Sequence, residues 1–265
     1  MKQNFVFASL FILSFVYAEK NQASPEPFTQ DVDLSGYHFI WGDEFKGSVL
    51  TTNQWVYRND STMWSTQKPE NVEVSDGTLK IFGRKESAEG KDYTGGGVIS
   101  RRTFRYGYYE SRLKVPRGAG WHTSFWMMRR TTKADTSPAS QELDVIENDS
   151  VNPHKYGVNI HKWMGEHIAF GGKTVKTPDL SEDFHVFGCL FTPTNVTYLF
   201  DGKIVQTVDV THATRKNGSS ADFAHGDQNI WLTSIASPLG GTQAVDDAKL
   251  PAVAEYDYVR FFEKK

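Results

Sequence analysis

Apolar and polar positions alternate in short runs along most of the chain, and turn residues interrupt them at close intervals. Strand-like runs fall at Asn71–Val74, Leu79–Arg84, Gly96–Ser100, Gly107–Val115, Thr123–Met128, Leu143–Glu147, Tyr156–Ile160, His185–Phe191, Val196–Phe200, Lys203–Val208, Ile230–Ile235 and Tyr256–Phe262. Ser75-Asp76-Gly77 and Asp201-Gly202 lie between such runs and predict hairpins, because the turns that match strand twist need residues tolerant of positive φ. No long stretch has the spacing of an amphipathic helix; only short turns near Ala248 and over Asp209–Thr214 are helical in character. Many strands without helical crossovers predict an all-β fold, an antiparallel β-sandwich or barrel. With 265 residues, and neither an internal repeat nor a linker, the chain fits one large domain.

The amino terminus departs from this pattern. Lys2 precedes an apolar run from Phe5 to Val16, and Val16-Tyr17-Ala18 offers small residues where a signal peptidase would cut. The run is short for a membrane span. The expected organisation is a signal peptide over 1–18, a polar lead over 19–35 and a catalytic domain over 36–265, giving a secreted protein. A retained amino-terminal anchor is the alternative.

Composition agrees with strands and tight turns: 18 Phe, 11 Tyr, 7 Trp and 22 Gly. A net charge of −3 gives no electrostatic case for nucleic acid or an anionic membrane. The lone cysteine, Cys189, cannot form an intrachain disulfide and reads as a small buried hydrophobe. Nothing requires more than a monomer.

The chemistry concentrates in Gln141-Glu142-Leu143-Asp144-Val145-Ile146-Glu147. In a regular strand Glu142 and Asp144 share a face, while Glu147 falls on the other. One β-bulge within Val145-Ile146 would restore the parity and bring the three acids together. Such a set suits a glycoside hydrolase, in which one carboxylate attacks and another protonates the leaving oxygen. The competing reading is an acidic edge strand facing water.

Sugar rings stack on aromatic side chains, and their hydroxyls need polar partners. Trp121 ends a Gly-rich turn and is placed at the cleft mouth, whereas Trp126 is placed mainly in the core or at its edge and is also a candidate substrate contact. Asn159 and His161 share a face with Gly157 and point at the acids if their strand neighbours the acidic one. Trp64 and Trp163 are further candidate sugar contacts. The histidines lack H-E-x-x-H or similar spacing, and a single cysteine excludes a thiolate zinc cage. Catalysis therefore needs no metal or other cofactor.

Glu142-Leu143-Asp144-Val145-Ile146-Glu147 resembles the bulged E-x-D-x-x-E signature of glycoside hydrolase family 16. Trp41–Phe45, Gly96–Ser100, Tyr106–Arg112, Gly120–Met128 and Tyr256–Arg260 match that family's pattern in the same order. The resemblance implies a jelly roll with a concave glycan groove and a retaining mechanism. It makes Glu142 the nucleophile, Glu147 the acid/base and Asp144 the residue between them that hydrogen-bonds the nucleophile. Close carboxylates raise one another's proton affinity, so Glu147 is expected to stay protonated while Glu142 is ionised. The family often carries a structural calcium on the opposite face, where Glu44 and Asp257 match.

Laminarin-cleaving members usually have Trp-Pro after the glycine turn and Gly before the first glutamate. Here Trp121-His122 and Gln141 stand instead, and Gln141 is similar to members that cut agar-type galactans. Arg58, Arg129 and Arg130 are available to read sulfate. The expected substrate is thus a polysaccharide, an agar-type β-galactan, with β-1,3-glucan as the alternative. Transglycosylation and a non-catalytic carbohydrate-binding jelly roll are the other readings.

Overall fold

The computed structural model of the protein describes residues 24–131 and 140–265. The expected signal peptide and most of the loop before the acidic strand lie outside the described residues. In chain order the strands are β1 (Tyr37–Asp43), β2 (Trp55–Tyr57), β3 (Ser61–Thr62), β4 (Ser65–Gln67), β5 (Val72–Ser75) and β6 (Thr78–Gly83). There follow β7 (Tyr93–Ser100), β8 (Gly107–Lys114), β9 (Trp121–Met128), β10 (Gln141–Asp149), β11 (Lys155–Lys162), β12 (Ile168–Lys176) and β13 (His185–Phe191). The last are β14 (Asn195–Phe200), β15 (Lys203–Asp209), β16 (Ala213–Thr214), β17 (Ser220–Ala221), β18 (Asn229–Ala236) and β19 (Ala252–Lys264).

These strands form an antiparallel jelly roll of two main sheets, as expected. The outer sheet runs β15-β14-β13-β8-β19-β6-β5, with β1 also paired to β19. The inner sheet runs β12-β11-β10-β9-β18-β7-β4-β3, with β2 also on β7. Only β4 and β7 run parallel among the described pairs. Both expected hairpins form: Ser75 pairs with Thr78 and Phe200 with Lys203, with Asp76, Gly77, Asp201 and Gly202 all at positive φ. The only helical turn near Ala248 is Asp247–Lys249; Asp209–Thr214 is instead the end of β15 and a bridge to β16.

The core lies between the sheets. Phe125, Met127, Leu143, Ile146 and Ile160 of the inner sheet meet Ile81, Tyr109, Phe187, Tyr198 and Phe261 of the outer one. Burial of this apolar surface is the main stabilising contribution. Cys189 sits in it, fully buried, and burial pushes its thiol far above the ordinary range. Part of the expected polar lead belongs to the domain. The Phe28 N–H donates to Glu110 Oε2 at 2.8 Å, the Tyr108 hydroxyl donates to the Phe28 carbonyl at 3.0 Å, and Leu34 packs on Tyr108 and Phe262.

The positions proposed for calcium are occupied otherwise. Arg260 grips both oxygens of Glu44 at 2.7 and 3.0 Å, and Arg112 Nη1 lies 2.6 Å from Asp257 Oδ2. Each carboxylate already has a guanidinium where a cation would sit, so this pair does not fit a calcium site.

Candidate active site

The acidic strand carries the bulge its sequence calls for. Against β9, Asp144 pairs with Trp126 and Ile146 with Phe125, which leaves Val145 as the extra residue. The register with β11 shifts between Asp144 and Glu147 as well. Val145 and Ile146 both enter the core, and Glu147 emerges on the same face as Glu142 and Asp144. Without the bulge, Glu147 would replace an apolar side chain in the core at a prohibitive desolvation cost.

Pairing orders the groove face into rows across the inner sheet. His161, Glu142, Met128 and Asn229 form one row; Asn159, Asp144, Trp126 and Trp231 form the next. Gly157, Glu147, Ser124 and Thr233 follow, and then Asp149, His122 and Ile235. Gly157 leaves open space in front of Glu147, since a Cβ there would meet nothing nearer than the Glu147 carbonyl at 3.9 Å.

Each carboxylate has a distinct environment. Glu142 Oε2 accepts the Trp163 indole N–H at 2.6 Å. Burial pushes Glu142 upward, opposed by that indole and by His161. Asp144 is fully buried and hydrogen-bonded to Glu142. Burial, reinforced by the charges of Glu147 and Glu142, pushes its carboxyl well above the usual range. Its Oδ2 has no hydrogen-bond partner; His161 Nε2 stands 3.3 Å away. Two such close buried acids favour sharing one proton, which belongs to the pair rather than to either residue.

Glu147 Oε1 lies 3.3 Å from His122 Nε2, and His122 Nδ1 lies 2.9 Å from Asp149 Oδ1. Burial disfavours charge on this ring, but its hydrogen bonds to Asp149 and Glu147 outweigh that and push its pKa up to about 9.

Most other expected contacts converge here. Arg58 and Trp126 share a cavity of about 180 Å³ with all three acids. Trp126 is therefore a groove residue, stacked on Trp231 with centroids 4.6 Å apart. Asn159 and His161 line an adjoining cavity of about 420 Å³ with His122, Glu147 and Asp149. Trp163 is 39% exposed and stacks on His167 at 4.0 Å. Trp64 lines a separate cavity of about 410 Å³ with Tyr93 and Val245, which meets the groove through Met63. Trp121 is the correction. It is buried with Ala236, Val245 and Ala252, and its ring covers Gly83 so closely that a Cβ there would lie 2.3 Å from it. No face of Trp121 is left for a sugar. Arg129 and Arg130 are exposed, and neither lines these cavities.

Three groove residues escaped the sequence reading: His122, Asp149 and Trp231. The signal was present for one of them. His122, Ser124 and Trp126 alternate with the buried Thr123, Phe125 and Met127, so the parity of β9 assigns His122 and Trp126 to the groove and Trp121 to the core.

A jelly roll with a bulged acidic strand, its carboxylates gathered beneath an aromatic-lined groove, is the architecture of an enzyme that cuts glycosidic bonds. Residues 41–264 match the family model described as beta-porphyranase A-D, GH16 domain. The chain belongs to glycoside hydrolase family 16 and is a glycoside hydrolase. It is 28% identical over 246 residues to a beta-glucanase of Rhodothermus marinus, covering 85% of each chain. It is 26% identical over 247 residues to beta-porphyranase E of Zobellia galactanivorans, covering 84% of this chain and 85% of that one. Among solved structures, SCLam, a non-specific endo-beta-1,3(4)-glucanase, superposes with a TM-score of 0.75 at 27% identity, over 92% of this chain and 94% of that one.

Proposed function

We propose that the protein is a secreted, monomeric, retaining endo-hydrolase of an agar-type β-galactan. The observation that carries the catalytic reading is the bulge at Val145, which gathers Glu142, Asp144 and Glu147 on one face of the groove. Glu142 attacks the anomeric carbon while Glu147 gives its proton to the glycosidic oxygen, releasing one half of the chain. The covalent glycosyl-Glu142 then reacts with water, whose proton Glu147 takes, and the second displacement restores the anomeric configuration. Trp163 and the proton shared with Asp144 hold the Glu142 carboxylate and fix its rotamer.

The match to the beta-porphyranase A-D model supports a galactan, as does Arg58, a cation on the groove wall. Its guanidinium is 5.9 Å from the Trp231 ring; Asp60 engages Nε and Nη2, which leaves Nη1 to meet an anionic substituent beside a sugar. β-1,3-Glucan is the second reading, favoured by the similarity to the Rhodothermus marinus enzyme. Sugar release from agarose, porphyran, κ-carrageenan, laminarin and mixed-linkage glucan separates them: products from porphyran or agarose alone support the galactan, and products from laminarin alone overturn it. Glu142→Gln is expected to abolish turnover while leaving polysaccharide binding intact; full activity in this variant would remove the nucleophile assignment. Export is tested by amino-terminal sequencing of the protein recovered outside the cell, where a first residue near Glu19 is expected.

A further inference from the structure

Beside Glu147 the groove wall holds a histidine and an aspartate for which the two displacements have no direct use. His122 and Asp149 face one another across β9 and β10, one row beyond Glu147. Both ring nitrogens of His122 meet carboxylate oxygens, Nδ1 at 2.9 Å from Asp149 and Nε2 at 3.3 Å from Glu147. A ring that donates to Asp149 and to the accepting oxygen of Glu147 at once carries a proton on each nitrogen. His122 is 8% exposed, which makes a charge there costly unless it is paired, as it is here with two carboxylates.

We propose that His122, held in place by Asp149, is the positioning residue of Glu147: it fixes one carboxylate oxygen and supplies a positive charge that favours release of the Glu147 proton. This rests on the acid/base role given to Glu147 above. With Oε1 held by the ring, the other oxygen remains for the glycosidic oxygen and then for water. When the proton leaves, the imidazolium stabilises the carboxylate that must next act as base. The upward push on the His122 pKa, to about 9, agrees with a ring that stays charged at neutral pH. Other groups face the same space. From β10 come Glu142, Asp144, Glu147 and Asp149, from β11 come Lys155 and His161, and from the segment after β2 comes Arg58, paired with Asp60. Thr174 of β12, Ile235 of β18 and the Leu239-Gly240 turn bring no charge. His122 is the cation in direct contact with Glu147.

Activity at high pH is lost as the general acid deprotonates; removing a neighbouring cation raises its proton affinity and moves that limb upward. The pH profile of kcat/KM would be measured on porphyran, or on laminarin if only that is cleaved, for the wild type, His122→Gln, Asp149→Asn and Glu147→Gln. The expected result is an alkaline limb raised by about one pH unit in His122→Gln and by less in Asp149→Asn, with kcat about tenfold lower in His122→Gln. Glu147→Gln should lose about 10²–10⁴-fold. Limbs that stay in place while activity falls uniformly, with Glu147→Gln inactive, would mean that His122 only packs, and would overturn the proposal alone. Full activity in Glu147→Gln would overturn the acid/base reading and this one with it. Asp149 is more exposed than His122, so Asp149→Asn decides the matter if His122→Gln fails to fold. Nitrogen-15 NMR of the intact wild-type chain gives an answer independent of substrate: a doubly protonated His122 at pH 7.5 is expected, and a neutral ring would overturn the proposal.

Discussion

The Trp163 indole does two jobs within a few ångströms. One ring face is covered by His167, and the N–H holds the Glu142 oxygen at 2.6 Å. A hydrogen bond to a charged group is worth about 1.5–3 kcal/mol, and losing it also frees the carboxylate to rotate. Trp163→Phe keeps the ring and deletes the donor, so kcat is expected to fall about 10–100-fold with little change in thermal stability. Steady-state kinetics with a parallel melt checks this; an unchanged kcat would show that the indole only stacks. At this scale the sequence was legible for the three carboxylates, because their spacing is chemically unusual. It misled for Trp121, where proximity to a glycine turn was weighted above strand parity. His122 was visible only as a departure from Trp-Pro, because its partners Glu147 and Asp149 lie on another strand.

Strand β10 carries one supernumerary residue. Val145 has no opposite number on β9, and the bulge that absorbs it keeps Glu147 in phase with Asp144. Deleting Val145 leaves Glu142-Leu143-Asp144-Ile146-Glu147, a regular strand whose alternation still holds all three acids on the groove face. The expected outcome is a folded variant that retains sugar release, at a cost of about 1–3 kcal/mol for the lost core side chain, read by circular dichroism melts and sugar release. A variant that folds but releases no sugar would show that the bulge itself sets the geometry the acids need. Element recognition followed the same physics. Continuous apolar runs, such as His185–Phe191, coincide with the observed strand. β12 was missed because it is an edge strand with Gly171, Gly172 and Lys173 at its centre and several exposed residues. β2, β3 and β4 are too short for periodicity to register, and their pairing depends on β7.

Across the whole molecule, a buried acid ties stability to pH. Glu110 of β8 is fully buried, and burial pushes its pKa up to about 7 against the opposing Phe28 N–H and Arg260. Because the folded value exceeds that of the unfolded chain, the protonated group stabilises the fold in full below about pH 4.5, and this is lost as pH rises through about 7. Glu110→Gln keeps an acceptor for Phe28 and has no proton to lose. Its melting temperature should exceed that of the wild type by an amount that grows between pH 4.5 and 8, reaching on the order of 5 °C. A constant difference across that range would show that Glu110 is ionised in the folded state. The sequence marked Glu110 only as part of a family-like segment; its partners lie 82 and 150 positions away and become visible only when the outer sheet closes.

The solitary Cys189 has a consequence of another kind. No covalent cross-link within the chain holds this fold, so reducing or oxidising surroundings leave its architecture unchanged. The thiol sits between Tyr109 and Tyr198 in the sheet ladder and is sealed from reagents. A thiol-reactive dye can label it only when β13 parts from its neighbours, so the labelling rate times the opening of the core. The chain thus carries its own stopwatch for unfolding, at a position remote from the groove where sugar is cut.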